Sequence, residues 1–186
     1  MSRNTDRTRP DPSAPWVIDT RELGRRPGAM RRYRRDVPVL AGLGLDVIGI
    51  PAGAEVALDV RLESVVEGVL VSGTASAPVA GQCARCLDPM ADRLEVDVTE
   101  LFAYPDTATV DSTDPDEVSR VIDDLVDLEP VVRDAVLLEL PQAPLCHDDC
   151  PGLCPECGAK RAELGADHRH ETMDPRWAAL QQRFRE

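Results

Sequence analysis

The 186-residue chain predicts an α+β fold: an antiparallel β-sheet with a covering helix, then a Cys/His-rich appendage and a C-terminal helix. Three observations carry this. From Leu43 to Thr99, apolar and polar residues alternate over several runs, the period-two signature of half-buried strands. Around residues 127–140 the apolar spacing becomes helical behind a recognisable helix start. Four cysteines then crowd between Cys146 and Cys157, with His168 and His170 beyond them.

Composition frames the elements. Aromatic residues make up only 3% of a chain that is 42% hydrophobic, so the core must rest on Val, Leu, Ile and Ala. Sixteen prolines and twelve glycines imply many turns. There is no apolar run long enough to cross a bilayer and no N-terminal stretch resembling a signal peptide, which predicts a cytoplasmic protein without a membrane partner. In a reducing compartment, six cysteines read as metal ligands rather than disulfides.

Taken in order, residues 1–13 are polar, carry Arg and Pro, and are expected to form a disordered arm. Residues 14–140 form the expected body, with an Arg-rich N-terminal segment, and residues 141–186 the tail. Trp16-Val17-Ile18-Asp19 reads as a short strand. Residues 20–35 hold Arg21, Arg25, Arg26, Arg31, Arg32, Arg34 and Arg35 around Gly24, Pro27 and Gly28, and those breakers exclude one continuous helix. Val56, Leu58, Val60 and Leu62 alternate with Ala57, Asp59, Arg61 and Glu63 as a half-wet strand. Glu67-Gly68 turns the chain into a second strand, Val69 to Ala80. Leu94, Val96 and Val98 mark a third, and Cys83-Ala84-Arg85-Cys86 falls at the hairpin tip between the second and third.

Residues 105–117 are acidic, with Pro, Ser and Thr, and read as a loop. Asp127-Leu128-Glu129-Pro130 opens a helix, with Asp127 as its cap and Pro130 in its first turn. Val132, Val136, Leu137 and Leu140 form its apolar stripe, and Pro141 and Pro144 end it. Asp174-Pro175 starts a last helix, with Trp177, Leu180 and Phe184 on one side. No internal repeat is evident.

The cysteines carry the chemistry. Two thiolates three residues apart can face one cation when the chain between them turns tightly, and Gly158 after Cys157 lets amides point at the sulfurs. One tetrahedral zinc could use Cys146, Cys150, Cys154 and Cys157, or Cys154 and Cys157 with His168 and His170. Cys83 and Cys86 raise the donors to eight, enough for two sites if the fold joins hairpin and tail. A redox pair at Cys83 and Cys86 is the competing reading, although no strand-then-helix context surrounds it. His147, between acids, reads as a solvated loop residue. No His-Glu-x-x-His, phosphate-cradling glycine loop or nucleophile elbow occurs, so the zinc reads as structural, with no enzyme activity and no small-molecule substrate.

Charge is divided. The chain carries −13 overall, yet residues 1–35 carry about +6 and the remainder about −19. An acidic body gives no general drive toward nucleic acid. Any phosphate contact therefore falls to Arg25, Arg26, Arg31, Arg32, Arg34 and Arg35, which could instead pair with the body.

The order of motifs resembles the YceD family of large ribosomal RNA subunit accumulation proteins. The resemblance rests on Cys-x-Arg-Cys-Leu from Cys83 to Leu87, Asp-Leu-Glu-Pro at Asp127, and Leu-Pro-x-x-Pro-Leu-Cys ending at Cys146. It continues through Cys-x-Gly-Leu-Cys-Pro-x-Cys-Gly from Cys150 and Asp-Pro-Arg-Trp at Asp174. It spans Trp16 to Phe184, and Ile18-Asp19-Thr20-Arg21-Glu22-Leu23 resembles the actinobacterial branch. Many relatives have Cys-x-Cys where this chain has His168-Arg169-His170, an exchange that keeps ligand capacity. The resemblance implies a bacterial ribosome-biogenesis factor supporting accumulation or processing of large-subunit (23S) ribosomal RNA, with that RNA or an assembly intermediate as partner. The alternative is a zinc-ribbon adaptor that binds a ribosomal or other basic protein through its acidic face, including the loop at residues 106–117.

Overall fold

The computed structural model describes residues 9–105, 107 and 118–170. Eight strands run in chain order: β1 (Val17–Asp19), β2 (Met30–Pro38), β3 (Leu43–Gly44), β4 (Ile48–Ile50), β5 (Glu55–Ser64), β6 (Gly68–Gln82), β7 (Pro89–Ala103) and β8 (Leu125–Asp127). One α-helix, α1 (Glu129–Glu139), and a short 3-10 turn, Arg161–Glu163, complete the described elements. The fold is thus mostly antiparallel sheet with a single described helix. The expected terminal helix with Trp177, Leu180 and Phe184 and most of the expected acidic loop lie outside the described residues.

β6 organises the main sheet because it is long enough to serve two partners along one side. Its residues Val69–Ser76 pair with β5, and Ala80 and Gly81 pair with β4. The other side pairs throughout with β7, from Gly68 opposite Ala103 to Gln82 opposite Pro89. β2 lies outside β5 and β3 outside β4. β1 and β8 form a separate two-stranded sheet.

Alternation sorts the side chains. Val56, Leu58, Val60, Leu62 and Ser64 of β5 are buried, and Val69, Val71, Ala75, Ala77 and Val79 of β6 join them. The core is mostly aliphatic, as the scarcity of aromatics requires, with Trp16, Phe102 and Tyr104 as its buried aromatic members. Ser64 is fully buried yet satisfied: its amide donates to Ala29 O at 2.9 Å, and its hydroxyl lies 3.4 Å from that of Tyr104.

Three expectations need correction. The sheet begins before Leu43, because Met30–Pro38 forms the edge strand β2. Its four arginines hid the strand: only Tyr33 and Val37 mark its inner side, as suits an edge that charges protect from further pairing. In α1, Val132, Val136 and the following Leu140 are buried, but Leu137 is exposed and does not share their stripe. The N-cap position is Leu128. Asp127 instead accepts the amide of Glu129 at 3.0 Å, and Pro130 lies in the first turn as expected. Of the expected N-terminal arm, residues 9–13 are described. There the Ser13 amide donates to the Asp11 carboxylate at 2.8 Å, and Arg9 pairs with Asp123.

Leu62, near the C-terminal end of β5, is fully buried. Leu62→Ala should therefore cost about 2–5 kcal/mol of stability, read as a lower urea midpoint with an unchanged slope.

Candidate metal centres

The β6–β7 hairpin ends in a tight knuckle. The Cys83 amide donates to Asp88 O at 2.9 Å, and the Leu87 amide to Cys83 O at 2.9 Å. The tail repeats the pattern: Cys154 N donates to Ala159 O at 2.8 Å, and Gly158 N to Cys154 O at 2.8 Å. Both knuckles place the residue after the second cysteine in the left-handed region, Leu87 at φ 62° and Gly158 at φ 70°. A local repeat therefore exists that the sequence conceals, since Leu and Gly occupy equivalent places.

The tail returns to the hairpin tip through backbone and ion-pair contacts. Ala84 N donates to Pro144 O at 2.7 Å, and Leu153 N to Arg85 O at 3.1 Å. Arg85 Nη1 donates to Cys150 O at 3.0 Å, and Lys160 Nζ pairs with Asp88 at 2.5 Å. Gly152, at φ 72°, lies where a side chain would press on Arg85 O. Arg85 and Gly152 stood in the sequence reading only as motif positions, and Asp88 and Lys160 escaped it; nearness to cysteines was the only signal of their structural role.

These contacts divide the donors into two groups of four. Cys83, Cys86, Cys146 and Cys150 form one, and Cys154, Cys157, His168 and His170 the other; within each, the ligand atoms lie within 4.8 Å of one another. The four tail cysteines are thus split between the groups. His147 belongs to neither and faces Asp149 at 2.8 Å. All six cysteines are free.

The first group fits a tetrahedral ion. Sulfurs about 2.3 Å from a central ion stand about 3.8 Å from one another. Cys83 and Cys150 are 3.8 Å apart, and Cys86 and Cys146 3.7 Å. Cys83, Cys86 and Cys150 are buried beside Leu145 in a small cluster of their own. The second group is more open, since only Cys154 is buried. There Cys157 Sγ lies 3.7 Å from His168 Nε2, and the two histidine Nε2 atoms are 2.8 Å apart.

Each knuckle prepares its first cysteine to ionise. Backbone amides of Cys86 and Cys146 lower Cys83 to about 6 from an ordinary 9.0. Amides of Cys157 and Glu156, then His168, lower Cys154 to about 6. At Cys86 the Asp88 amide favours the thiolate, but burial and the thiols of Cys83, Cys150 and Cys146 outweigh it, pushing Cys86 up to about 12. Burial, then Cys150 and Cys83, raises Cys146. Crowded thiols keep their protons until a cation displaces them, so metal uptake must release protons.

The six candidate arginines are held differently. Arg25 pairs with Asp124 at 3.4 Å and lies over the Tyr104 ring, and Arg31 pairs with Glu22. Arg32 and Arg34 share Asp59, and Arg35 donates to Pro15 O at 3.0 Å. Arg26 is exposed. Among the described residues no helix is long and apolar enough to cross a membrane.

The chain has relatives among known proteins. The family model described as "Large ribosomal RNA subunit accumulation protein YceD" matches residues 71–182. An uncharacterized protein of Mycobacterium tuberculosis is 54% identical over 168 residues, covering 90% of this chain and 81% of that protein. An uncharacterized protein of Mycobacterium leprae is 47% identical over 167 residues, covering 90% of this chain and 76% of its own. The uncharacterized protein YlbN of Bacillus subtilis is 29% identical over 124 residues, covering 66% and 68%. No solved structure matches the chain.

Two outcomes follow from the geometry. The lowered values of Cys83 and Cys154 mean that their thiolates contribute fully above the ordinary thiol value and are lost as pH falls through about 6. Ultraviolet thiolate absorbance of the reduced, metal-free chain should accordingly fall away as pH passes down through about 6. Gly158→Val forces a branched side chain to φ 70° at about 1–2 kcal/mol, and should weaken retention of one metal equivalent roughly tenfold against a competing chelator.

Proposed function

The chain belongs to the YceD family of large ribosomal RNA subunit accumulation proteins, and from this we propose that it is a non-enzymatic cytoplasmic factor supporting accumulation of large-subunit (23S) ribosomal RNA, shaped by two structural zinc ions. The observation that carries the zinc assignment is the division of eight donors into two complete sets. Soft thiolates with imidazole suit zinc. Four protein donors per ion leave no open coordination position, which is the mark of a structural site rather than a catalytic one. The redox reading of Cys83 and Cys86 is the weaker one, because Cys146 and Cys150 complete the same set. Zinc would fix the tail, whose described part between residues 146 and 170 buries few apolar side chains, against the hairpin tip. Positive charge for an RNA contact is drawn from the arginine-bearing strand region that includes Arg32 and Arg34.

A second reading has its own support. Most of those arginines already have acidic or carbonyl partners. Among the described residues, Glu95 and Asp97 of β7, which share the outer face of the sheet, are in no ion pair. An acidic face of this kind suits a basic protein, such as a ribosomal protein.

The purified chain should contain two zinc equivalents, falling to one in Cys83→Ser/Cys86→Ser and to one in Cys154→Ser/Cys157→Ser. Depleting the protein should lower the ratio of large- to small-subunit ribosomal RNA. The Cys83→Ser/Cys86→Ser variant should fail to restore that ratio. An unchanged ratio on depletion removes the ribosomal reading. Capture of ribosomal components that persists after nuclease treatment favours the adaptor.

A further inference from the structure

Strand alternation divides the arginines of β2. Arg31 and Arg35 stand opposite Leu62 and Leu58, whose side chains are buried, so they share the core-facing side. Arg32 and Arg34 stand opposite Arg61 and Asp59 on the other face. The register continues across the sheet: Arg61 opposes Ser72, and Ser72 opposes Thr99. One row of this face therefore reads Arg32, Arg61, Ser72, Thr99, two cations followed by two hydroxyls, beside a row of Arg34, Asp59, Thr74 and Asp97.

The fold does not call for this row. Like charges directly opposite one another destabilise a strand pair. Asp59 relieves part of the strain, holding Arg32 in a fork at 2.6 and 2.7 Å and Arg34 at 3.0 Å. That one carboxylate serves two guanidinium groups. Arg61 reaches only Glu63, at 4.0 Å. A recess of about 250 Å³ opens among Arg32, Asp59, Arg61, Ser72 and Gly73. The side chains of Arg32, Arg34 and Arg61 remain 62%, 68% and 55% exposed.

We propose that this row binds the phosphate backbone of RNA, with Arg32 and Arg61 contacting phosphates and Ser72 and Thr99 donating to phosphate or ribose oxygens. The proposal rests on the ribosomal-RNA reading and names its surface: the open sheet face and Arg61, rather than the N-terminal arginines as a group. Backbone phosphate matches the charge surplus around Arg61, and hydroxyls beside guanidinium groups are common phosphate partners. The row carries no aromatic residue for base stacking, so it positions RNA without reading its sequence. The acidic body confines the contact to about two phosphates.

Filter binding of the full, zinc-loaded chain to an in vitro transcript of large-subunit ribosomal RNA, at several salt concentrations, tests this. Arg32→Ala/Arg61→Ala should weaken binding about tenfold and flatten the logarithmic salt slope by about 1.4, for two phosphates at about 0.7 each. Its thermal midpoint should hold, since Arg34 still pairs with Asp59. Arg31→Ala/Arg35→Ala should bind within twofold of wild type. Equal effects from the two double variants, or wild-type binding by Arg32→Ala/Arg61→Ala, overturn the proposal and leave the ribosomal reading intact. A wild-type chain that leaves the transcript unbound at low salt overturns direct RNA contact altogether. A nuclease-resistant acidic protein lost only from Arg32→Ala/Arg61→Ala would assign the row to that protein and overturn the proposal.

Discussion

The sulfur quartet of Cys83, Cys86, Cys146 and Cys150 is the constraint on which the rest depends. It joins the tip of the longest hairpin to a segment 60 residues further along the chain. Nothing comparable in apolar content links the two places, because the cluster around these cysteines adds only Leu145. The contacts that flank the quartet, Ala84 to Pro144, Leu153 to Arg85 and Asp88 to Lys160, depend on the tail being present at the tip. The second set of donors begins four residues after Cys150 and inherits its position from the first.

The geometry of the two sets differs in a way that matters for their roles. Three cysteines of the first are buried, with Cys146 at its exposed rim, and two sulfur pairs already stand at tetrahedral spacing. The second faces solvent, and its histidines stand edge to face with ring centroids 4.5 Å apart. A largely buried sulfur site holds its ion against competing ligands, whereas an open mixed site exchanges more readily. On the two-zinc reading, the hairpin–tail junction belongs to the tighter of the two.

Much of this was legible in the sequence where local chemistry and tertiary context agree. The β5 alternation, the Glu67-Gly68 turn and the hairpin tip at Cys83 each follow from periodicity and turn residues within a few positions. The eight donors were legible as residue types, since cysteine and histidine at these spacings have few other uses. Their pairing was not. Whether Cys146 and Cys150 meet Cys154 or Cys83 depends on where the tail returns, and that is settled by backbone contacts that leave no compositional trace. β2 was obscured for the opposite reason: charges that guard a sheet edge look like a solvated arm until strand register shows that they alternate between two faces. Arg61 was hidden the same way, as one polar position among several in a half-wet strand.

The two sets also differ in how their members are spread along the chain, and this governs vectorial synthesis. On the two-zinc reading, the open site draws all its ligands from residues 154–170 and can gather its ion as a self-contained unit once that stretch exists. The buried site interleaves residues 83–86 with residues 146–150. Its hairpin half must wait, with two thiols uncoordinated, until residue 150 of 186 has been added. A nascent chain therefore passes through a window in which Cys83 and Cys86 are open to oxidation or to a foreign ion. The tail's arrival closes that window.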